Sequence, residues 1–256
     1  MSLPFWSRLL CLPLLSLGLS GCGESGVHTR LVFALQPALL ASNVSPAAGV
    51  RAMESPPSLP NIDSDDGLSF QLEGASATLA DIRLRLGGGL GCSEVRDSLP
   101  DGTDCVESEG QATVTLAGPV SANLATGELT PALEIPPGTY RRVDFTLAGT
   151  GFKAHTRHFQ ESKAWNMDLT LPAGESLRFE SASDVVVKEA GSLRVVFQQD
   201  TWLRELPLAS CFQKGDLTRA DADDILLDEA RGECQGAGEH VRNNLRAHGG
   251  MSAHPF

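Results

Sequence analysis

The chain has 256 residues, with 20 Lys and Arg against 32 Asp and Glu, for a formal net charge of −12. An acidic excess of that size repels phosphate backbones and anionic head groups, which argues against nucleic acid as a partner. Aromatic residues make up only 5% of the sequence, so Trp165, Trp202 and Tyr140 are expected as core anchors before any sugar or peptide site.

The first 21 residues carry one charged side chain, Arg8, followed by an apolar run from Leu9 to Leu19. That run is shorter than the ~20 apolar residues needed to span a bilayer, and its layout is that of a cleavable export signal. The stretch Leu19-Ser20-Gly21-Cys22 resembles the lipobox of bacterial lipoprotein precursors, in which small side chains admit the backbone to a peptidase cleft and the thiol accepts a diacylglycerol. The resemblance implies residues 1–21 as a signal peptide and Cys22 as the acylated first residue of the mature protein. Several acyl chains hold a protein to a bilayer where a single one binds only marginally. Gly23, standing where the enterobacterial sorting rule places Asp for inner-membrane retention, implies the outer membrane. The implied partners are that membrane, through the lipid, and an envelope protein or glycan on its periplasmic or outer side.

With Cys11 in the signal and Cys22 at the anchor, four cysteines remain: Cys92, Cys105, Cys211 and Cys234. An exported chain meets an oxidising compartment, and an even number there reads as disulfides. Three pairings are open. Cys92 with Cys105 and Cys211 with Cys234 are favoured, because each pair brackets an irregular polar stretch. Thiolate metal sites are disfavoured, since no CxxC occurs.

Along the body, residues 22–36 hold the anchor and a first strand through Leu31, Phe33 and Leu35. Residues 37–66 are rich in Pro, Ser and Asp and are expected to form a long loop or tether; its Asp63, Asp65 and Asp66 suit a solvated loop or a calcium ion. From 67 to 207 short apolar alternations recur. Leu68 to Leu86 shows period two with two phase slips, which predict a turn near Glu73-Gly74 and a bulge near Ala80-Asp81. Arg83 and Arg85 are placed on its watery face.

Val114 and Leu116, then Val120 and Leu124, suit two further strands. Pro136-Pro137-Gly138-Thr139 predicts a type II turn launching Tyr140, Val143, Phe145 and Leu147. Alternation returns at Met167–Leu171, Leu177–Phe179, Val185–Val187 and Leu193–Phe197. Residues 208–256 are expected as a disulfide-closed extension, with short helices over 221–229 and 238–248 and a loose tail from Met251. Short strands at this spacing predict a mainly β fold, an antiparallel β-sandwich with short C-terminal helices. The phrases "ASATLADIRLRL", "LEIPPGTYRRVDFTL" and "SLRVVFQQDTWL" resemble uncharacterised bacterial lipoprotein domains. The resemblance implies a prealbumin-like sandwich, and it supplies no active site.

Candidate chemistry is sparse. Gly149-Thr150-Gly151-Phe152-Lys153-Ala154 fits GxGxxA, the spacing that seats a pyrophosphate on a helix N-terminus, yet no apolar helical stripe follows it. His155 and His158 form HxxH, which faces one metal only on a helix; on a strand the two diverge. Asp221, Asp223, Asp224 and Asp228 suggest a calcium loop, but Ile225 stands where an oxygen ligand is required, and a helix start explains the run as well. No GxSxG, HExxH or P-loop is present. Cys92 or Cys105 as a nucleophile with His155 is weaker than their pairing. The reading is therefore a lipid-anchored binding or structural module of the cell envelope with no cofactor assigned. The alternative is a periplasmic small-ligand or metal-handling protein using His155, His158, Asp221 and Asp223.

Overall fold

The computed structural model describes residues 29–36, 59–160, 162–218 and 223–255. Cys22 with the whole signal, most of the tether and Asp221 lie outside these described residues. The protein is mainly β, with two sheets and a few short helices.

The smaller sheet has the order β13 (Gly249–Pro255), β12 (Gly191–Phe197), β1 (Thr29–Leu35), β8 (Leu133–Ile135). β1 and β12 run parallel, so the sheet is not wholly antiparallel as expected. Apolar alternation marks which face is buried and carries no information on direction. No hairpin joins these two strands to force an antiparallel pair.

The larger sheet is built on two long strands, β3 (Ser69–Leu86) and β9 (Gly138–Gln160). Around them sit β10 (Lys163–Leu171), β11 (Ser176–Val187), β5 (Gln111–Leu116) and β4 (Thr103–Ser108). The short strands β2 (Asn61–Asp63), β6 (Val120–Asn123) and β7 (Glu128–Thr130) complete it. β2 falls inside the stretch expected as tether.

β3 does not turn at Glu73-Gly74. The chain runs straight through, and the phase slips are absorbed by register shifts at Leu72/Gly74, Ala77/Leu79 and Ala80/Arg83, with Asp81 at φ 49°. A bulge inserts one residue and restores the apolar face without ending the strand, so a phase slip in sequence is ambiguous between bulge and turn. The strand through Tyr140, Val143, Phe145 and Leu147 forms, but it begins at Gly138 and runs on to Gln160, and Gly138 lacks the positive φ that the expected type II turn requires. The phenol of Tyr140 is buried and donates a hydrogen bond back to the carbonyl of Pro136. Burial pushes that phenol well above its ordinary pKa.

The sheets share one core. Phe33 and Phe197 of the small sheet meet Phe145 and Phe179 of the large one, with ring centroids 5.2 Å apart for Phe33–Phe145 and 5.3 Å for Phe179–Phe197. Phe152 carries the contact on to Trp202, which is fully buried. Trp202 and Tyr140 are therefore core anchors, while Trp165 is half-buried against Phe212.

At the C-terminal end α3 (Ala237–Ala247) forms as expected, but the run before it does not become an α-helix over its described part. There Asn166 of β10 takes the carbonyl of Asp223 and gives its own carbonyl to the amide of Ile225, at 2.8 and 2.7 Å. Acidic residues that suit a helix start are held extended because an open strand edge offers their backbone hydrogen bonds. The tail is also ordered: residues 249–255 pair with β12. Gly249 lies under the Phe179 ring, where a Cβ would come within 2.4 Å of ring carbons. Edge pairing of this kind uses backbone alone and leaves no apolar pattern to detect.

Candidate functional site

The cysteines are bonded as Cys92–Cys105 and Cys211–Cys234, the pairing favoured because each pair brackets an irregular polar stretch. The first closes the loop carrying α1 (Cys92–Val95) onto β4. The second ties α2 (Leu208–Lys214) to the turn before α3. In disulfides they are no longer nucleophiles.

The GxGxxA stretch lies inside β9 and opens no helix. It marks where β9 changes neighbour, from β11 along residues 138–146 to β10 along 152–160. Gly149 and Gly151 both have positive φ, and a Cβ on Gly151 would sit 2.2 Å from the carbonyl oxygen of Leu171. The glycines are there for close backbone approach, and no phosphate cradle is formed.

His155 and His158 project to opposite faces of β9. His158 points inward, donating from Nδ1 to the carbonyl of Ser69 at 2.8 Å and packing on Phe70 and Phe212. His155 points outward into a ladder of charges across β3, β9 and β10. Its Nδ1 lies 2.6 Å from Asp168 and its Nε2 lies 3.3 Å from Glu73. Lys153 holds the other oxygen of Asp168 at 2.7 Å, and Arg157 the other oxygen of Glu73 at 2.8 Å. Partial burial alone would raise the Asp168 carboxyl, but hydrogen bonds from His155 and Lys153, with their charges, hold it below the usual carboxylate value.

Sequence reasoning missed Asp168 and Glu73. The hairpin between β9 and β10 places His155 directly opposite Asp168, and locating its turn between Gln160 and Lys163 would have identified that pair.

A cleft of about 400 Å³ opens beside this ladder, bounded by Asp168, Asn166, Thr170, Asp224, Asp228 and Arg242. Its chemistry is spent internally. Both ring nitrogens of His155 face carboxylates of the ladder. Arg242 is held by Asp228 at 2.7 Å and by Glu239 at 3.0 Å. Asp223 is paired with Lys163 at 2.8 Å, away from either histidine of the HxxH pair. Among the described residues no group of three or more His, Cys, Asp or Glu side chains converges as a metal site.

The acidic group Asp63, Asp65 and Asp66 has a structural use. Asp66 accepts the backbone N–H groups of Ala209 and Ser210, both at 3.0 Å, and the hydroxyl of Ser64 at 2.6 Å; Asp65 accepts the amide of Glu205. Asp66 thus caps the first turn of α2 from a distant loop. Desolvation opposes ionisation here, but these hydrogen bonds outweigh it and keep the carboxyl below its ordinary value of 3.8. A carboxylate with a depressed folded-state pKa stabilises the fold above its unfolded pKa and loses that contribution as pH falls through the folded value. Asp66→Ala is expected to cost about 1 kcal/mol at neutral pH. In urea titrations the gap between the two proteins should close on acidification below about pH 4; a gap that persists unchanged there would show that the carboxylate is not the cap.

Comparison with protein-family models, with curated proteins and with solved structures finds no match for this chain.

Proposed function

We propose that the chain is a lipid-anchored protein of the bacterial cell envelope, held in the outer membrane by acyl groups on Cys22, and that its β body is a binding or structural module for an envelope protein or glycan. The observation that carries this reading is the box Leu19-Ser20-Gly21-Cys22 behind the apolar run from Leu9. Two disulfides in the body accord with an oxidising compartment. No helix among the described residues is long and apolar enough to cross a membrane.

The finer fold reading is a prealbumin-like sandwich. Its support is the shared aromatic core of the two sheets and the Gly138-Thr139-Tyr140 start of the longest strand. β1 begins at Thr29, so an anchor at Cys22 places the body within about 25 Å of the bilayer surface, the full reach of seven extended residues.

The experiment is metabolic labelling of the full chain with radioactive palmitate in a bacterium, followed by fractionation and mass spectrometry of the N-terminus. Label in the membrane fraction, with residue 22 as the first residue, is expected; Cys22→Ala should abolish both label and membrane retention. Recovery of a soluble chain that still begins at Met1 would overturn the reading.

A further inference from the structure

The outer face of the large sheet carries an arginine group that the charge ladder at His155 does not use. Strand register aligns Arg178 of β11, Asp144 of β9, Arg83 of β3 and Thr115 of β5 in one row. Arg142, Arg85 and Thr113 follow in the next. Asp104 and Glu180 stand at the rims, opposite Thr115 and Arg142 respectively. An open trough of about 840 Å³ lies over these rows, a size that accommodates a small ligand.

Both oxygens of Asp144 are taken. Nε of Arg142 holds one at 2.7 Å and Nε of Arg178 holds the other at 2.7 Å. Asp144 therefore sits as a clamp that fixes two guanidinium planes by their Nε edges, and the charge of Glu180 adds to its hold on Arg178. Arg83, directly across from Asp144, makes no ion pair with it and has no partner among the described residues. Arg85 lies directly across from Arg142 on the same face, a like-charge cross-strand pair that costs stability unless an anion sits between them.

The rest of the floor holds hydroxyl side chains, Thr113, Thr115, Thr146 and Ser176 among them, with one further carboxylate, Asp81, and the exposed Val106. Its one aromatic residue, Phe145, is buried and offers no ring for a neutral sugar to stack on. Net charge of the whole chain does not forbid an anion here, because salt screens charges beyond about 10 Å.

We propose that this trough is a binding site for a phosphorylated ligand, whose phosphoryl oxygens are taken by the Nη edges of Arg142 and Arg178 and by Arg83. Guanidinium forks match the oxygens of phosphate, and serine and threonine hydroxyls complete such sites as further donors. Asp144 is a positioning residue, and no bond is made or broken. This deepens the reading of the body as a binding module and is independent of the anchor.

The test titrates the full chain in detergent with inorganic phosphate, pyrophosphate, glucose 6-phosphate and citrate, and measures its binding to phosphatidylcholine vesicles with and without phosphatidic acid. Submillimolar, salt-sensitive binding of a soluble phosphate assigns a free ligand. Binding to phosphatidic acid vesicles alone assigns a lipid head group. Either supports the site, provided that Arg83→Gln and Arg178→Gln each weaken it at least tenfold while Lys163→Gln, on the other half of the sheet, does not.

Asp144→Asn separates positioning from simple attraction. Deleting a negative charge would tighten any unspecific attraction of anions, whereas loss of the clamp weakens binding at least fivefold. Arg83 has no described partner, so its substitution is expected to leave the fold intact, checked by circular dichroism. No binding to any phosphate probe, equal binding of citrate, or tighter binding by Asp144→Asn would each overturn the proposal. The same constant in the Cys22→Ala chain is expected, so that failure of the anchor and failure of the site are read separately.

Discussion

Phe145→Ala should lower the stability of the body by about 3 to 5 kcal/mol, the range for deleting a buried phenylalanine side chain. The ring is 2% exposed and is the meeting point of the two sheets: it touches Phe33 at 5.2 Å, Phe179 at 5.6 Å and Phe197 at 6.2 Å between centroids. Three of these contacts are edge-on, the geometry in which the positive rim of one ring faces the negative face of another. Alanine leaves a cavity that β9, paired on both sides, cannot collapse to fill.

In a domain of this size the loss corresponds to a melting midpoint lower by roughly 6 to 20 °C. It is checked by thermal and urea unfolding. A loss under about 1 kcal/mol would mean that the sheets are held by something other than this aromatic cluster.

Gly151→Ala is the second large effect. The residue has φ +73°, where any side chain costs about 1 to 2 kcal/mol. In addition its Cβ would fall 2.2 Å from the carbonyl oxygen of Leu171 and 3.0 Å from the carbonyl carbon of Pro172, both backbone atoms. No rotamer relieves that overlap, so the end of β10 must move away from β9.

Gly149→Ala is the matched comparison. It has φ +54°, but its nearest neighbour is a Thr78 methyl at 3.3 Å, which yields by a small shift. The Gly149 substitution should therefore cost about 1 to 2 kcal/mol, and the Gly151 substitution clearly more, with faster amide exchange along β10. Equal losses at the two positions would show that backbone angle, and not the approach of β10, sets the cost.

Much of the large sheet was legible because its strands are half-buried. Leu68 to Leu86 and Tyr140 to Leu147 alternate well enough that face and core membership could be assigned, but not span: the slip at Glu73-Gly74 reads as a turn although β3 runs through it, and β9 continues to Gln160. Features held by backbone were not legible. β13 is an edge strand built from Gly249-Gly250-Met251-Ser252, with no apolar rhythm, and the 223–225 segment follows the open edge of β10 in spite of its helix-starting acids.

The parallel pairing of β1 with β12 was hidden for another reason: alternation is blind to strand direction, and residues 30 and 192 have no local tie. Of the outer face, Arg83 and Arg85 were rightly seen to point to water. Their neighbours on β9 and β11 come from far along the chain, and only strand register brings Arg142, Asp144 and Arg178 beside them.

The position of β1 also constrains how the chain is assembled. Of the described strands β1 comes first in the chain, yet it lies inside the small sheet, and its partner on one side follows only after some 160 further residues. Before that, β1 has β8 to pair with and the carbonyl of Leu124 to accept the amide of Leu35, and its Phe33 awaits rings from the second half of the chain. Closure of such a distant pairing is intrinsically slow, so a partly folded chain carries an unfinished, aggregation-prone seam along β1. A message cut short before residue 191 can never heal that seam.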